Sequence, residues 1–410
     1  MLTHDKEQAR NYDMDPLITK NISVNVLLGL HDTSTRIMAD AGAIQTPTLV
    51  LSAGADWVVK SSAQWKFYHN LSSEKKRMEV YPGFFHAILF EKNREKPFKL
   101  AREFILEAFQ KDVDRTPLLQ ADKSGYTKDE YDRLKGPGRQ PMALMYRAQK
   151  FLMKTVGRLS TGIRLGWKTG FDSGQSLDYV YENKAKGISL LGRLIDANYL
   201  NAVGWKGIRE RGGNLKKCLS KTITKVKADQ DSVRILDVAT GCGRYVLDVI
   251  AEFKDPDISA VLRDYETKNL EAGRLLAESM GLDNVQYEQG DAFDPESLKT
   301  VSNKPNIIIV SGLYELFPEN KKIQTSLAAI NKLLEDNGYL IYTCQPWHPQ
   351  VELIARTCDN RDGEPWIMRR RTQAEMDELV NQAGFRKINM EIGSYGIFTV
   401  SIAQKRGQHE

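Results

Sequence analysis

Cysteine is scarce and scattered in this chain: Cys218, Cys242, Cys344 and Cys358 are the only four. They form no Cys-x-x-Cys pair and no Cys/His cluster. No metal site and no redox pair is therefore expected, and the thiols read as reduced ones in a cytoplasmic protein. Long apolar runs are missing too. No stretch of about 18 apolar residues occurs, so no segment is expected to span a bilayer. The opening Met-Leu-Thr-His-Asp-Lys-Glu has none of the marks of a signal peptide. Repeats and low-complexity tracts are absent. Neither sign of charge prevails by much: 58 Lys and Arg stand against 53 Asp and Glu, a net +5. That balance does not call for a nucleic-acid partner. What the chain does have is length, 410 residues at 41% hydrophobic, enough for two or three domains with sizeable cores.

One stretch organises the rest. Val233, Ile235, Leu236 and Val238 read as a short buried strand with Asp237 near its end. Thr240-Gly241-Cys242-Gly243 makes a tight turn, and Tyr245 to Phe253 continues with helical spacing. A strand, a Gly-rich turn and a helix N-terminus are how α/β proteins hold an adenine-bearing cofactor. A dinucleotide fingerprint would need a third Gly where Val246 stands. Instead the pattern is Asp237-x-Ala239-x-Gly241-x-Gly243. It resembles motif I of class I S-adenosylmethionine-dependent methyltransferases, with Ala239 in place of the first Gly. The acid there suits a ligand carrying an ammonium and a sulfonium, not a pyrophosphate.

The strands that follow end on polar residues in the same way. Ile258 to Leu262 runs to Asp264, 21 residues after Gly243, where a carboxylate holds ribose hydroxyls. Asn284 to Gln289 leads into Gly290-Asp291-Ala292-Phe293. By the methyltransferase resemblance, an acid at Asp291 meets the adenine amino group. Pro305 to Val310 runs into Ser311-Gly312-Leu313-Tyr314-Glu315. The resemblance thus implies S-adenosylmethionine as cofactor, held by Asp237, Ala239, Thr240, Gly241, Gly243, Asp264, Asp291, Ala292 and Ser311. Taken singly, each acid also fits a helix cap or a turn. A fifth strand, Tyr339 to Thr343, and a hairpin, Arg386 to Ile392 with Ile397 to Ala403, complete the pattern. The fold expected over 171–406 is α/β, a Rossmann-like parallel sheet closed by an antiparallel terminal hairpin.

Methyl transfer needs alignment and partial desolvation, and a base only where the acceptor must lose a proton. Tyr314, Glu315 and His348 stand at strand ends as catalytic candidates. His348 reads equally as a loop or capping histidine. No Asn/Asp-Pro-Pro-Tyr loop follows the fourth strand, which disfavours a base or amide nitrogen as acceptor. Trp366-Ile367-Met368-Arg369-Arg370-Arg371 reads as an anion clamp or as a solvated helix start.

Residues 1–112 read differently. A strand from Pro47 to Leu51 precedes Asp56, a helix spans about Lys60 to Asn70, and a strand from Arg77 to Tyr81 precedes His86. A helix over Phe98 to Gln110 follows. This resembles the C-terminal end of an α/β-hydrolase of the monoacylglycerol lipase and lysophospholipase branch, with Leu2-Thr3-His4-Asp5 through Leu17 as cap remnant. The resemblance makes Asp56 and His86 the acid and base of a triad whose order is Ser, Asp, His. Before Asp56 only Ser23, Ser34 and Ser52 occur, none on a Gly-x-Ser-x-Gly elbow. The reading is a hydrolase part lacking its nucleophile, through truncation of the frame or decay of the domain. No ester hydrolysis by this chain is expected. A serine hydrolase active only in a longer chain is the alternative function.

Between the two lies 113–170, read as a linker with Gly136-Pro137-Gly138 followed by a basic amphipathic helix. From Arg133 to Phe171 there are nine Lys or Arg and no acids. Leu144, Met145, Phe151, Leu152, Val156, Leu159, Ile163 and Leu165 recur at helical steps. Such a segment fits peripheral contact with an anionic inner-membrane surface, or a helix docked on its neighbour with its charges in water. Tyr179 and Tyr181, ahead of motif I, read as acceptor-pocket residues or as packing between helices. As a whole the chain resembles a bacterial family that fuses a lysophospholipase-like hydrolase to a class I methyltransferase. The fusion implies a small, lipid-like methyl acceptor.

Overall fold

Leu49, Val50 and Leu51 in one short run, and Met78 and Val80 in another, give the front of the chain its two strands. The structure, a computed structural model, describes residues 2–19, 21–110, 114–138, 141–301 and 303–407. It divides into two compact units, Met1–Asp114 and Arg115–Glu410. In the first, β1 (Thr48–Ala53) pairs in parallel with β2 (Lys76–Tyr81), Thr48 opposite Lys76 and Ala53 opposite Tyr81. The crossover is the helix Ser61–Asn70, and Glu95–Gln110 follows β2. The expected strand, helix, strand, helix order is present.

The second unit holds a seven-stranded sheet. Its strands are β3 (Val233–Asp237), β4 (Ile258–Asp264), β5 (Val285–Gln289), β6 (Ile307–Val310), β7 (Tyr339–Cys344), β8 (Phe385–Ile392) and β9 (Thr399–Lys405). Their order is β5-β4-β3-β6-β7-β9-β8. All pairs are parallel up to β7, and β9 runs antiparallel to both β7 and β8. The chain builds outward from β3 to β5, then returns to the other side of β3 with β6. That reversal is the switch point at which open α/β sheets place a ligand, beyond the carboxyl ends of the strands.

Side-chain alternation explains the two cores. Ile235, Ile307, Ile309 and Ile341 point to one face, under the long helix Val203–Asp229 and the helix Arg244–Phe253. Leu236, Ile308, Val310 and Leu340 point to the other, under Asn320–Leu333 and Gln373–Gln382. A third apolar cluster joins Phe171, Val180, Leu200, Trp205 and Ile208 to Ile397 and Phe398 beside the start of β9. It anchors the helices that precede β3 at the carboxyl end of the sheet.

Two expectations change. The stretch read as a linker contains the helix Tyr126–Lys135, with Thr127, Glu130 and Leu134 buried. Residues 111–113 and 139–140 of that stretch lie outside those described. The arginine block is neither an anion clamp nor solvated. Arg369 is fully buried, and its Nη2 donates to both carboxylate oxygens of Glu375, at 2.8 and 3.0 Å. Arg370 forks onto Glu130 at 2.6 and 2.9 Å. Arg371 donates to the carbonyls of Tyr314 and Phe317 at 2.6 and 2.7 Å and to Asn320 at 3.0 Å. Apart from Arg369 Nε, which has no hydrogen-bond partner among the described residues, these donors are spent on the protein itself.

Candidate active site

The turn after β3 is shaped by its glycines. Gly241 and Gly243 sit at φ +61° and +75°, a region that L side chains resist. A Cβ on Gly243 would also lie 2.6 Å from Leu262. The Thr240 N–H donates to the Arg263 carbonyl at 2.9 Å and ties the turn to β4. Arg244–Phe253 then starts with no side-chain cap. Its open N-terminus, at Arg244 and Tyr245, lines a cleft of about 440 Å³. Free N–H groups and the helix dipole there favour an anionic group.

Asp264 lines the same cleft. Its Oδ2 accepts from Gly241 N at 2.9 Å; its Oδ1 accepts from Glu266 N at 2.9 Å and Asn269 Nδ2 at 3.0 Å. Of four lone-pair directions on a carboxylate, these donors occupy three. One direction on Oδ2 remains for a hydroxyl. Asp291 is fixed by the Phe293 N–H at 2.8 Å, and its own N–H donates to Ser297 Oγ. Ala239, Thr240, Gly241, Gly243, Asp291, Ala292 and Ser311 all line the cleft with Asp264. Asp237 does not. It is fully buried beneath the turn, where it accepts from the Tyr245 hydroxyl and the Ala239 N–H. Burial pushes its carboxyl up to about 7, with the Asp264 charge adding to the rise. Asp237 braces the turn rather than touching what the cleft holds.

The cleft has a roof that the sequence did not reveal. Asp178 forks onto Arg244 at 2.6 and 3.0 Å, which docks the helix Gly174–Glu182 over the turn. Asp172 accepts from the Arg361 N–H at 2.7 Å and its Nε at 3.2 Å. Asp172, Asn360 and Arg361 therefore line the cleft from segments 189 positions apart. No local pattern marks such a pair.

Beyond the roof lies a wider cavity of about 640 Å³. Its wall is mostly apolar, with Ile163, Tyr199, Trp205, Leu353, Trp366 and Phe398 among its side chains. Asp172, Leu177, Arg211, Gly312 and Leu316 line both spaces. Glu315 stands on the far side of this partition, 8% exposed. Its Oε1 accepts from Thr343 Oγ1 at 3.0 Å and lies 3.8 Å from Arg211 Nη1. Its Oε2 is buried without a hydrogen-bond partner among the described residues. Burial works against the charge on Arg211, but Tyr181 and Glu315 outweigh it and keep the guanidinium protonated. Tyr181 reaches Arg211 through its hydroxyl, at 3.3 Å, and lines the cleft. Tyr179 packs between helices, its hydroxyl 2.5 Å from Asp196.

The other two strand-end candidates differ from Glu315. His348 lines the wide cavity, and its Nδ1 accepts the Gln350 N–H at 3.0 Å. A backbone amide only donates, so the ring proton sits on Nε2. Burial and the nearby Arg370 push its pKa down to about 4, which keeps the ring neutral. Tyr314 is buried in the sheet core, with its hydroxyl bonded to Ser326 at 2.9 Å, and lines neither space. Packing in the turn after β6 directs Tyr314 inward and leaves Glu315 to the cavity.

In the first unit the structure brings Asp56 and His86 together, Oδ2 to Nδ1 at 3.0 Å. Asp56 also accepts from the N–H groups of Val58 and Val59. Burial raises its pKa, but the His86 bond and these amides outweigh it, so the net shift is downward. His86 Nε2 is thereby left as the ring's accepting nitrogen. His4 and Glu91 form a second such pair at 2.9 Å, which the sequence did not single out.

Residues 101–405 match a family described as "Putative methyltransferase". The chain belongs to that methyltransferase family. Residues 1–93 of this family member match a second family, described as serine aminopeptidase S33, so its front part is of hydrolase type. YnbC of Escherichia coli (strain K12) is 44% identical over 410 residues, 99% of this chain and 70% of YnbC. The phospholipase YtpA of Bacillus subtilis (strain 168) is 30% identical over 105 residues, 25% of this chain and 40% of YtpA. A solved protein from Bordetella parapertussis is similar with a TM-score of 0.50 and 16% identity, over 72% of this chain and 98% of its own. That last likeness concerns the fold alone.

Proposed function

We propose that this chain transfers the methyl group of S-adenosylmethionine to an acceptor with an extended apolar body. The observation that carries the reading is the shared partition. A polar cleft at the switch point and an apolar cavity meet along Asp172, Leu177, Arg211, Gly312 and Leu316.

The residues present fit the cofactor. The open helix end at Gly243 suits its carboxylate, the remaining lone pair of Asp264 suits a ribose hydroxyl, and Asp291 with Ala292 suits the adenine edge. Bound there, the group supplies an electrophilic methyl on a sulfonium. The helix Gly174–Glu182 and the Asp172–Arg361 pair exclude water above it. Leu316 and the Gly312 backbone separate the reactants until the acceptor arrives. Glu315 Oε2, buried and unpartnered, takes the proton that the acceptor atom gives up as the new bond to carbon forms. His348 offers its Nε2–H to a polar group on the acceptor and does not act as the base.

Two variants test this. Calorimetry should show S-adenosylmethionine binding, weakened at least about tenfold in Asp264→Ala, which corresponds to about 1.4 kcal/mol. Glu315→Gln should keep that binding. It should lose about 100-fold or more of label transfer from methyl-labelled cofactor into a lipid extract. An Asp264→Ala variant that binds like the parent would sink the cofactor assignment. Undiminished turnover in Glu315→Gln would remove the base.

A further inference from the structure

The mouth of the wide cavity is rimmed by apolar side chains that face solvent. Leu152 and Val156 both line the cavity and stand more than half or nearly half exposed. Phe151, at the end of the Met142–Lys154 helix, is 66% exposed. The facing rim comes from the segment that opens the helix Leu190–Leu200. Ile188 N–H donates to the Leu159 carbonyl at 3.1 Å, and Thr161 N–H to the Lys186 carbonyl at 3.1 Å. These bonds clamp the two rims side by side. On the second rim Leu190 is 80% exposed, and Leu194, one turn on, is 68% exposed. Leu191 is exposed as well, and one turn beyond it Ile195 already lines the cavity.

Contiguous apolar surface of this kind marks a contact site. The charges around it say with what. Arg158, Lys184 and Arg193 are exposed on the same two segments. The segments 133–171 and 183–195 contain no Asp or Glu at all. A partner surface must therefore be apolar within and anionic at its face.

From these observations we infer that the two rims form a docking surface for an anionic lipid bilayer. The acceptor's hydrocarbon body enters the cavity directly from that bilayer. The surface inserts Leu190, Leu194 and Phe151 among acyl chains, while Arg158 and Arg193 meet the headgroups. The inference rests on taking the wide cavity as the acceptor site, but its test does not depend on turnover.

Full-length protein is sedimented with vesicles of phosphatidylcholine alone, or with one quarter phosphatidylglycerol, at low and high salt. Binding is expected only to the anionic vesicles and is reduced by salt. Arg193→Glu should weaken it about fivefold or more. The exposed double variant Leu190→Ser/Leu194→Ser should weaken it more than tenfold, with cofactor binding and thermal unfolding unchanged. No binding of the parent at low salt overturns the inference. So does equal binding by both variants. A concentration-dependent dimer that the Leu190→Ser/Leu194→Ser change abolishes, without vesicle binding, would assign the surface to a second copy of the chain instead. Loss of the vesicle effect with cofactor binding intact separates this failure from failure of the methyltransferase reading.

Discussion

At the scale of single residues, His348 and Asp237 illustrate how burial reassigns roles. Both stand where a sequence pattern expects chemistry. His348 has its Nδ1 engaged by the Gln350 amide and its pKa pushed down to about 4. The sign of its effect on stability follows. Below the ordinary histidine value of about 6.5 the unfolded chain takes up a proton that the folded chain refuses until about pH 4. The contribution of the neutral ring is fully present above pH 6.5 and is lost as pH falls through that window. By pH 5 the loss is about 2 kcal/mol. The raised Asp237 carboxyl shifts stability the opposite way over the same window, so the test is the difference: the urea-unfolding stability of the parent relative to His348→Asn should fall by about that amount between pH 7.5 and pH 5. An identical pH dependence in both proteins would contradict the burial argument.

At the scale of elements, the loop before the helix Gln373–Gln382 is held by buried ion pairs to two acids, Glu130 and Glu375. Glu130 comes from the Tyr126–Lys135 helix, 240 positions away from Arg370. Arg370→Met would leave Glu130 buried without its fork, at a cost of about 3–5 kcal/mol. The paired change Arg370→Met/Glu130→Leu should recover most of it, because the stranded charge is gone. Denaturant midpoints of the three proteins check this, and a double variant as unstable as the single would contradict it. The same pairs show why three consecutive arginines misread as a clamp or a solvated turn. Their partners are set by tertiary packing, and nothing within a helical turn of Arg370 announces Glu130. By contrast, the acids at the ends of β4 and β5 were legible. A strand's period of two and the turn that follows it fix where its last side chain points. Asp237 was legible as a strand-end acid but not as a buried one, since its burial comes from the Tyr245 hydroxyl folding back over it. Tyr314 and Glu315 are adjacent in sequence, and only the packing against Ser326 tells which of them reaches the cavity. The apolar cavity itself was hidden, because its wall draws on Leu152, Trp205, Trp366 and Phe398 from separate elements.

At the scale of the whole molecule, the chain joins a front part of hydrolase type to a methyltransferase-family part, in two compact units. The polar cleft and the wide cavity are both built from residues of the second unit alone. A chain beginning at Arg115 is therefore expected to bind S-adenosylmethionine with the affinity of the full protein. Calorimetry on the two proteins decides it, and lost binding in an otherwise folded shorter chain would show that the first unit contributes. The Asp56–His86 pair keeps the geometry of an acid and a base, while the sequence offers no Gly-x-Ser-x-Gly serine to them. A fluorophosphonate probe is expected to leave this chain unlabelled.

Gly312 sits between the two spaces at φ +68°, where a Cβ would come within 3.0 Å of the Arg211 guanidinium. At this residue the dividing wall has nothing but hydrogen beyond its backbone. In the proposed transfer this makes the two spaces rooms joined by a keyhole: a group of one carbon passes, while the bodies that carry it stay apart. Any side chain at that position would plug the hole and leave both rooms furnished but out of touch.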